Sequence, residues 1–327
     1  VASRGLGDVY KRQGVLLALM RKVLTILAVI VLVAAIGFGV VQWLNDDQGG
    51  QTPPTPGDDG GVLAEQPEWC PAVEVIAVPG TAESRADDDP MAPTANPHSL
   101  LLGLTNSISE SYSEGDVKVW TTPYPAQIKT HQLPDQLTYD DSQAVGRDVT
   151  AKEMADLHGQ CPLTDFVLMG FSQGAAIAGD LASDIGNGRG VVPAERIAGV
   201  ALLGDPRRDP NQGVNQGVPL AGVGVELSLQ PLGGIVQAVV PGATMRGPRD
   251  GFGPLNDKVQ NVCVPSDSFC DVPPGVADAI ARAQEMITGA GAHATYATND
   301  VAIPGTTPLA WTEGWTRELI EQSLARR

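Results

Sequence analysis

Positive charge, aromatic rings, cysteine and histidine are all scarce in this chain. Lys and Arg together number 21 against 38 Asp and Glu, for a formal charge of −17 at pH 7. Phosphate backbones are gripped by clustered cations, so an acidic chain with no basic cluster excludes nucleic acid as a partner. Only four cysteines occur, Cys70, Cys161, Cys263 and Cys270, at spacings that fit none of the usual zinc patterns. Four histidines, His98, His131, His158 and His293, leave few choices for a proton-transferring imidazole. Aromatic content is low beside 38 Gly and 26 Pro.

What the chain does have, early on, is one long apolar run. Val23 to Leu44 is nearly unbroken hydrophobic sequence behind Arg21 and Lys22, and it gives way to Asn45, Asp46 and Asp47. About twenty such residues span a bilayer as a helix with the positive flank on the cytoplasmic side. Residues 20–44 are therefore expected to form an uncleaved transmembrane anchor, with everything beyond it facing outward. The alternative is a cleaved signal peptide, for which the run is long and lacks a clear small-x-small site. Residues 1–19 look unlike the rest, SRGLGDVYKRQ resembles a translated sequencing adapter, and Met20 is a more natural start; they carry no structural weight. Residues 45–64 include QGGQTPPTPGDDGG, a polar Pro/Gly tether that cannot bury a core. The folded domain is expected over 65–327.

That domain is organised around FVLMGFSQGAAIAG, Phe166 to Gly179. Phe166 to Met169 has the length of a buried strand, a helix is expected from Ala175, and Gly170-Phe171-Ser172-Gln173-Gly174 is the turn between them. This is G-x-S-x-G between strand and helix. A serine at the tip of such a tight turn has a strained backbone that only small neighbours permit, and the helix N-terminus behind it favours developing negative charge. Ser172 is the candidate nucleophile.

Strands are expected at Val73 to Val78, Val117 to Trp120, Ile197 to Leu203 and Lys258 to Val262. Helices are expected within His98 to Tyr112 and at Asp140 to Leu157, Val276 to Thr288 and Leu309 to Ala325. Their alternation implies an α/β hydrolase with a central parallel sheet covered by helices on both faces. Residues 206–257, rich in Gly, Pro and Val, read as a long loop and a candidate lid insertion. Its apolar part, Leu220 to Val240, would cover a greasy cleft or dip toward a membrane; a surface excursion with its own small core is the other reading.

An even number of cysteines beyond the anchor implies two disulfides. Cys263 and Cys270 are close enough to close a small loop, which leaves Cys70 with Cys161. Inside the small loop, CVPSDSFC, sits Asp267. In α/β hydrolases the order is Ser, then acid, then His. Only His293 follows Ser172, so it is the candidate base, and Asp267 is the acid fixed by a covalent clamp.

The G-F-S-Q-G turn, a Cys-Pro eleven residues before the serine, the C-x-x-x-D-x-x-C loop and the later single His together resemble the cutinase-like serine esterase family, from Cys70 to about Asp300. The resemblance implies Ser172 as nucleophile, His293 as base, Asp267 as the acid orienting it, and an oxyanion hole from the backbone N–H groups of Thr81 and Gln173. It implies the same two disulfide pairings. Phe171 stands where Tyr is common, Thr81 where Ser is usual, and the excursion is longer than in small secreted cutinases. With the anchor and the Asp205 to Pro210 sequence DPRRDP, these departures resemble the membrane-anchored branch of mycolic-acid-making actinobacteria.

The expected activity is hydrolysis of lipid esters or acyl thioesters, of phospholipase A or thioesterase type, by an envelope-located monomer without metal or organic cofactor. The alternatives are a cutinase or acetylxylan esterase, an acyltransferase, or an idle envelope-binding module.

Overall fold

A computed structural model describes residues 66–273 and 291–326. Six parallel strands form one sheet in the order β2-β1-β3-β4-β6-β5. They are β1 Val73–Val78, β2 Val117–Thr121, β3 Asp165–Phe171, β4 Ile197–Leu203, β5 Val214–Gln216 and β6 Val259–Val262. β1 and β3 are buried along their whole length, as continuous apolar strands must be when both faces are covered. Successive side chains alternate between the faces. Ile76, Val78, Phe166 and Leu168 join Met154, Leu157, Ile177 and Leu181 in one core. Val73, Val75, Val167 and Met169 join Leu104, Ile108 and Ile320 in the other.

The first core is closed by α2 (Tyr139–Gln160) and α3 (Gln173–Gly186), the second by α1 (Leu102–Ser111) and α6 (Pro308–Leu324). Thr138 caps α2 by accepting the Asp141 N–H, and Thr307 caps α6 by accepting that of Ala310. Cys70 is bonded to Cys161, joining the approaches to β1 and β3, and Cys263 to Cys270, just beyond β6.

The chain leaves β1 for β2 on one side and reaches β3 on the other, so the strand order reverses between β1 and β3. Such a switch point opens a crevice at the carboxyl ends of the strands, where α/β proteins place their sites. Val78 pairs with Gly170 there, which sets the loop after β1 beside the turn after β3.

The segment between β4 and β6 departs from a plain loop. It holds β5, which extends the sheet edge, and two short helices, α4 (Val225–Leu229) and α5 (Gly233–Val239). A buried ionic network ties it to α3. Arg249 reaches Asp180 at 2.7 Å and Asp205 at 2.6 Å. Arg246 joins Asp180 at 2.7 Å and Glu226 at 2.8 Å, and the Tyr139 hydroxyl donates to Glu226 at 3.1 Å. Among the described residues no helix is long and apolar enough to cross a membrane; the expected anchor at 20–44 and the expected helix at Val276 to Thr288 lie outside them.

Candidate active site

The turn after β3 is tighter than the sequence suggests. The strand runs on through Gly170 to Phe171, where it still pairs with Leu203, and α3 begins at Gln173. Ser172 alone makes the corner, at φ 55° and ψ −119°, a conformation that strains any residue with a side chain. A Cβ on Gly170 would lie 2.2 Å from the Gly174 carbonyl oxygen, and one on Gly174 would lie 2.0 Å from that of Val78. The two glycines are what let strand and helix meet at this angle. The Ser172 N–H donates to the Leu203 carbonyl at 2.9 Å, fixing the corner to β4.

His293 lies in a short 3-10 turn, Ala292–Ala294, and its ring rests on Phe171, the residue before Ser172. Gly204, at φ +63°, makes room for it, since a Cβ there would sit 2.8 Å from His293 Cε1. Nδ1 is 2.8 Å from Asp267 Oδ2 and 3.0 Å from Oδ1. Nε2 is buried and has no hydrogen-bond partner among the described residues.

Asp267 is fully buried in the loop closed by Cys263 and Cys270. Its Oδ1 accepts the Phe269 N–H at 2.8 Å, and its Oδ2 accepts the Tyr296 hydroxyl at 2.6 Å. Burial, and then the Asp267 charge, push the Tyr296 phenol well above its ordinary value. Cys263, Asp267 and Cys270 approach one another within 4.8 Å. The sulfurs are bonded to each other and offer no thiolate, so this group is not a metal site.

The loop after β1 supplies Thr81, with Ala82 at φ 64°. Glu83 folds back beneath it, accepting the Gly80 N–H at 2.9 Å and the Leu100 N–H at 3.0 Å. Burial pushes the Glu83 carboxyl up, against the pull of those two donors. Gln173 is buried, its side chain held by the Tyr124 hydroxyl at 3.3 Å and the Gln127 carbonyl at 3.2 Å. Among the described residues neither Thr81 nor Gln173 directs its backbone N–H to a protein acceptor.

With this geometry in place, a protein-family model described as Cutinase matches residues 70–300. The chain belongs to the cutinase family. The carboxylesterase Culp6 homolog of Corynebacterium glutamicum is 48% identical over 307 residues, covering 92% of this chain and 99% of that protein. The catalytic core domain of acetyl xylan esterase from Trichoderma reesei is 19% identical with a TM-score of 0.43, over 69% of this chain and 97% of that one. A cutinase-like protein from Cryptococcus sp. is also 19% identical, with a TM-score of 0.41, over 73% and 99%. As a cutinase-family member this chain is a carboxylic ester hydrolase.

Three residues at the site carried no role in the sequence reading. Tyr296 follows His293 by three positions, a spacing that puts both on one side of a single turn. Phe269 sits within the disulfide loop and meets the His293 ring at 4.1 Å between centroids. Glu83 lies two residues after Thr81, and nothing in the sequence shows that its carboxylate turns inward. Of the remaining histidines, His98 and His131 are exposed and His158 is half-buried.

Proposed function

We propose that this cutinase-family chain hydrolyses lipid esters or acyl thioesters through Ser172, His293 and Asp267, on the outer side of the cell membrane. One observation carries the reading. His293 engages a buried carboxylate through Nδ1 and keeps Nε2 unpaired, beside a serine on a strained corner. With its proton on Nδ1, the imidazole offers a lone pair at Nε2. Nε2 takes the Ser172 proton as Oγ attacks the acyl carbonyl, while Asp267 holds the tautomer and stabilises the imidazolium. The Thr81 and Gln173 N–H groups bind the tetrahedral oxyanion; losing one such donor costs about 3 to 4 kcal/mol. The imidazolium protonates the departing alcohol or thiol, and water then releases the acid by the same steps.

Support for a lipid substrate comes from the excursion. Leu232, Val236, Met245 and Phe269 pack against Val225, Leu229 and Val272, and the Phe269 ring meets His293. An acyl chain leaving the serine would lie along these side chains. The apolar run at 20–44 and the two disulfides support an envelope location, since disulfides persist in oxidising compartments. Phospholipase A or thioesterase activity, the membrane-anchored branch, the 45–64 tether, the lid role of 206–257 and the monomeric state belong to the same proposal.

Fluorophosphonate labelling of the full chain, beside Ser172→Ala and His293→Ala, tests the triad. Labelling lost in both variants is expected; labelling that persists in Ser172→Ala, or none in the parent with detergent, overturns it. A panel of phospholipids, acyl thioesters, acetylated xylan and polyester tests the substrate. Preference for either of the last two would replace the lipid reading by that of an acetylxylan esterase or a cutinase.

A further inference from the structure

Tyr296 is fully buried. Its hydroxyl donates to Asp267 Oδ2 at 2.6 Å, the same oxygen that lies 2.8 Å from His293 Nδ1. Two donors therefore share one carboxylate oxygen, and each draws on the same negative charge. Short O–H···O⁻ bonds to an ionised acceptor are among the strong ones, so the phenol competes with the imidazole on equal terms.

We infer that Tyr296 is a positioning residue that sets how firmly Asp267 holds His293, by sharing the charge on Oδ2 and fixing the rotation of the carboxylate. The inference rests on the triad reading above.

The hydroxyl is itself held in place. The Val264 N–H donates to Tyr296 Oη at 3.3 Å, and the ring meets Phe171 and His293 edge-on, at 5.4 and 6.0 Å between centroids. Cys270 Sγ is 3.3 Å from Oη, but a disulfide sulfur is a weak acceptor beside a carboxylate. The phenol stays protonated, and so stays a donor, because burial and Asp267 both oppose its ionisation.

Three further charged groups face this cluster. Glu83 acts on His293 from the loop after β1. Arg208, in the excursion, acts on Tyr296 and donates to the Cys270 carbonyl at 3.1 Å. Asp271, at the far end of the disulfide loop, accepts the Ser266 N–H at 2.9 Å and faces Arg208. None of these three bonds the Asp267 carboxylate. The Phe269 N–H takes up Oδ1, and the phenol is the group that shares the charge on Oδ2 with His293.

Removing the hydroxyl concentrates charge on Oδ2, so the imidazolium forms more readily and less neutral base remains in mild acid. The experiment is the pH profile of kcat/KM on a soluble short-chain ester, using the full chain as parent, as Tyr296→Phe, and with Tyr296 replaced by 3-fluorotyrosine. In Tyr296→Phe the acid limb should move up by about half to one pH unit. Its kcat on the plateau should fall roughly tenfold with KM little changed, as expected when an orienting contact is lost. The fluorinated phenol is a stronger donor of nearly the same shape, and it should move the acid limb down. An acid limb unmoved in both proteins overturns the inference, as does a loss of thermal stability with an unchanged profile. If Tyr296→Phe does not fold, the fluorinated protein decides alone. A parent with no Ser172-dependent turnover would instead overturn the triad reading, and it is told apart because the loss is already in the parent.

Discussion

The imidazole of His293 is stacked on the ring of Phe171, with 4.8 Å between centroids and 21° between planes. Phe171 is also the last residue of β3 and the one before Ser172. One side chain thus fixes the plane of the imidazole, while its own backbone leads directly into Ser172. Phe171→Tyr should keep activity within about threefold, since the face is preserved. Phe171→Leu, which keeps bulk but loses the face, should lower kcat roughly tenfold with KM little changed. Equal kcat in the two variants, on a short-chain ester, would show that the stacking does not position the base.

The two disulfides should separate stability from activity. Replacing Cys263 and Cys270 by Ser opens a short loop, worth roughly 2 to 3 kcal/mol by chain entropy, and opening the Cys70 to Cys161 link should cost roughly 4 to 5. The smaller loss should carry the larger fall in kcat, because Asp267 lies inside the short loop. Urea unfolding and kcat measured on both double variants check the ranking; a larger kcat loss from the long link would contradict it.

Glu74 gives stability an unusual pH dependence. It is buried in β1 and paired with Lys118 at 2.9 Å, an ammonium that also serves Glu153. Burial outweighs Lys118 and pushes Glu74 up to about 8 from 4.5. The folded chain therefore keeps a proton that the unfolded chain has released. Stability from this group is whole below about 4.5, declines as pH rises and is lost above about 8. Glu74→Gln should resist urea better than the parent at pH 9, by up to a few kcal/mol, and the gap should narrow at pH 5. A gap that is constant with pH would rule this out.

Arg249 should be among the least replaceable residues outside the site. Burial works against the charge on Asp180, and Arg249, Arg246 and Arg207 overcome it, holding that carboxyl below its ordinary value. Arg249→Met strands Asp205 in a dry interior and takes one of three cations from Asp180, at a cost of about 3 to 5 kcal/mol. Restoring the balance with Asp205→Asn should return part of it. Urea midpoints of the single and double variants measure both steps, and a fully tolerated Arg249→Met would disprove the anchoring role.

Some of this architecture was legible in sequence because its signals are local. VEVIAV and IAGVALL are runs that only a covered strand explains, and a serine between two glycines marks its own turn. The end of β3 was misjudged because Gly170 reads as punctuation, whereas the sheet needs it as the last position before the corner. β5 has three residues and no apolar alternation, and α4 and α5 have five and seven, too few turns for a helical period to emerge. The ionic network joins positions 180, 205, 226, 246 and 249. Nothing in a linear string shows that these charges will neutralise one another. Tyr296 escaped for a similar reason: its partner, Asp267, lies 29 residues away.

The Cys70 to Cys161 bond also decides how the sheet bears load. β1 lies between β2 and β3, and the chain enters it only three residues after Cys70. A pull on the chain before Cys70 does not arrive at Val73 alone, because half of the junction is Cys161 and the approach to β3. The force is divided between two neighbouring parallel strands, which would have to shear together past β2 and β4. Unzipping β1 from its leading end, the weakest mode for a strand hauled from one terminus, is closed off by a single covalent link.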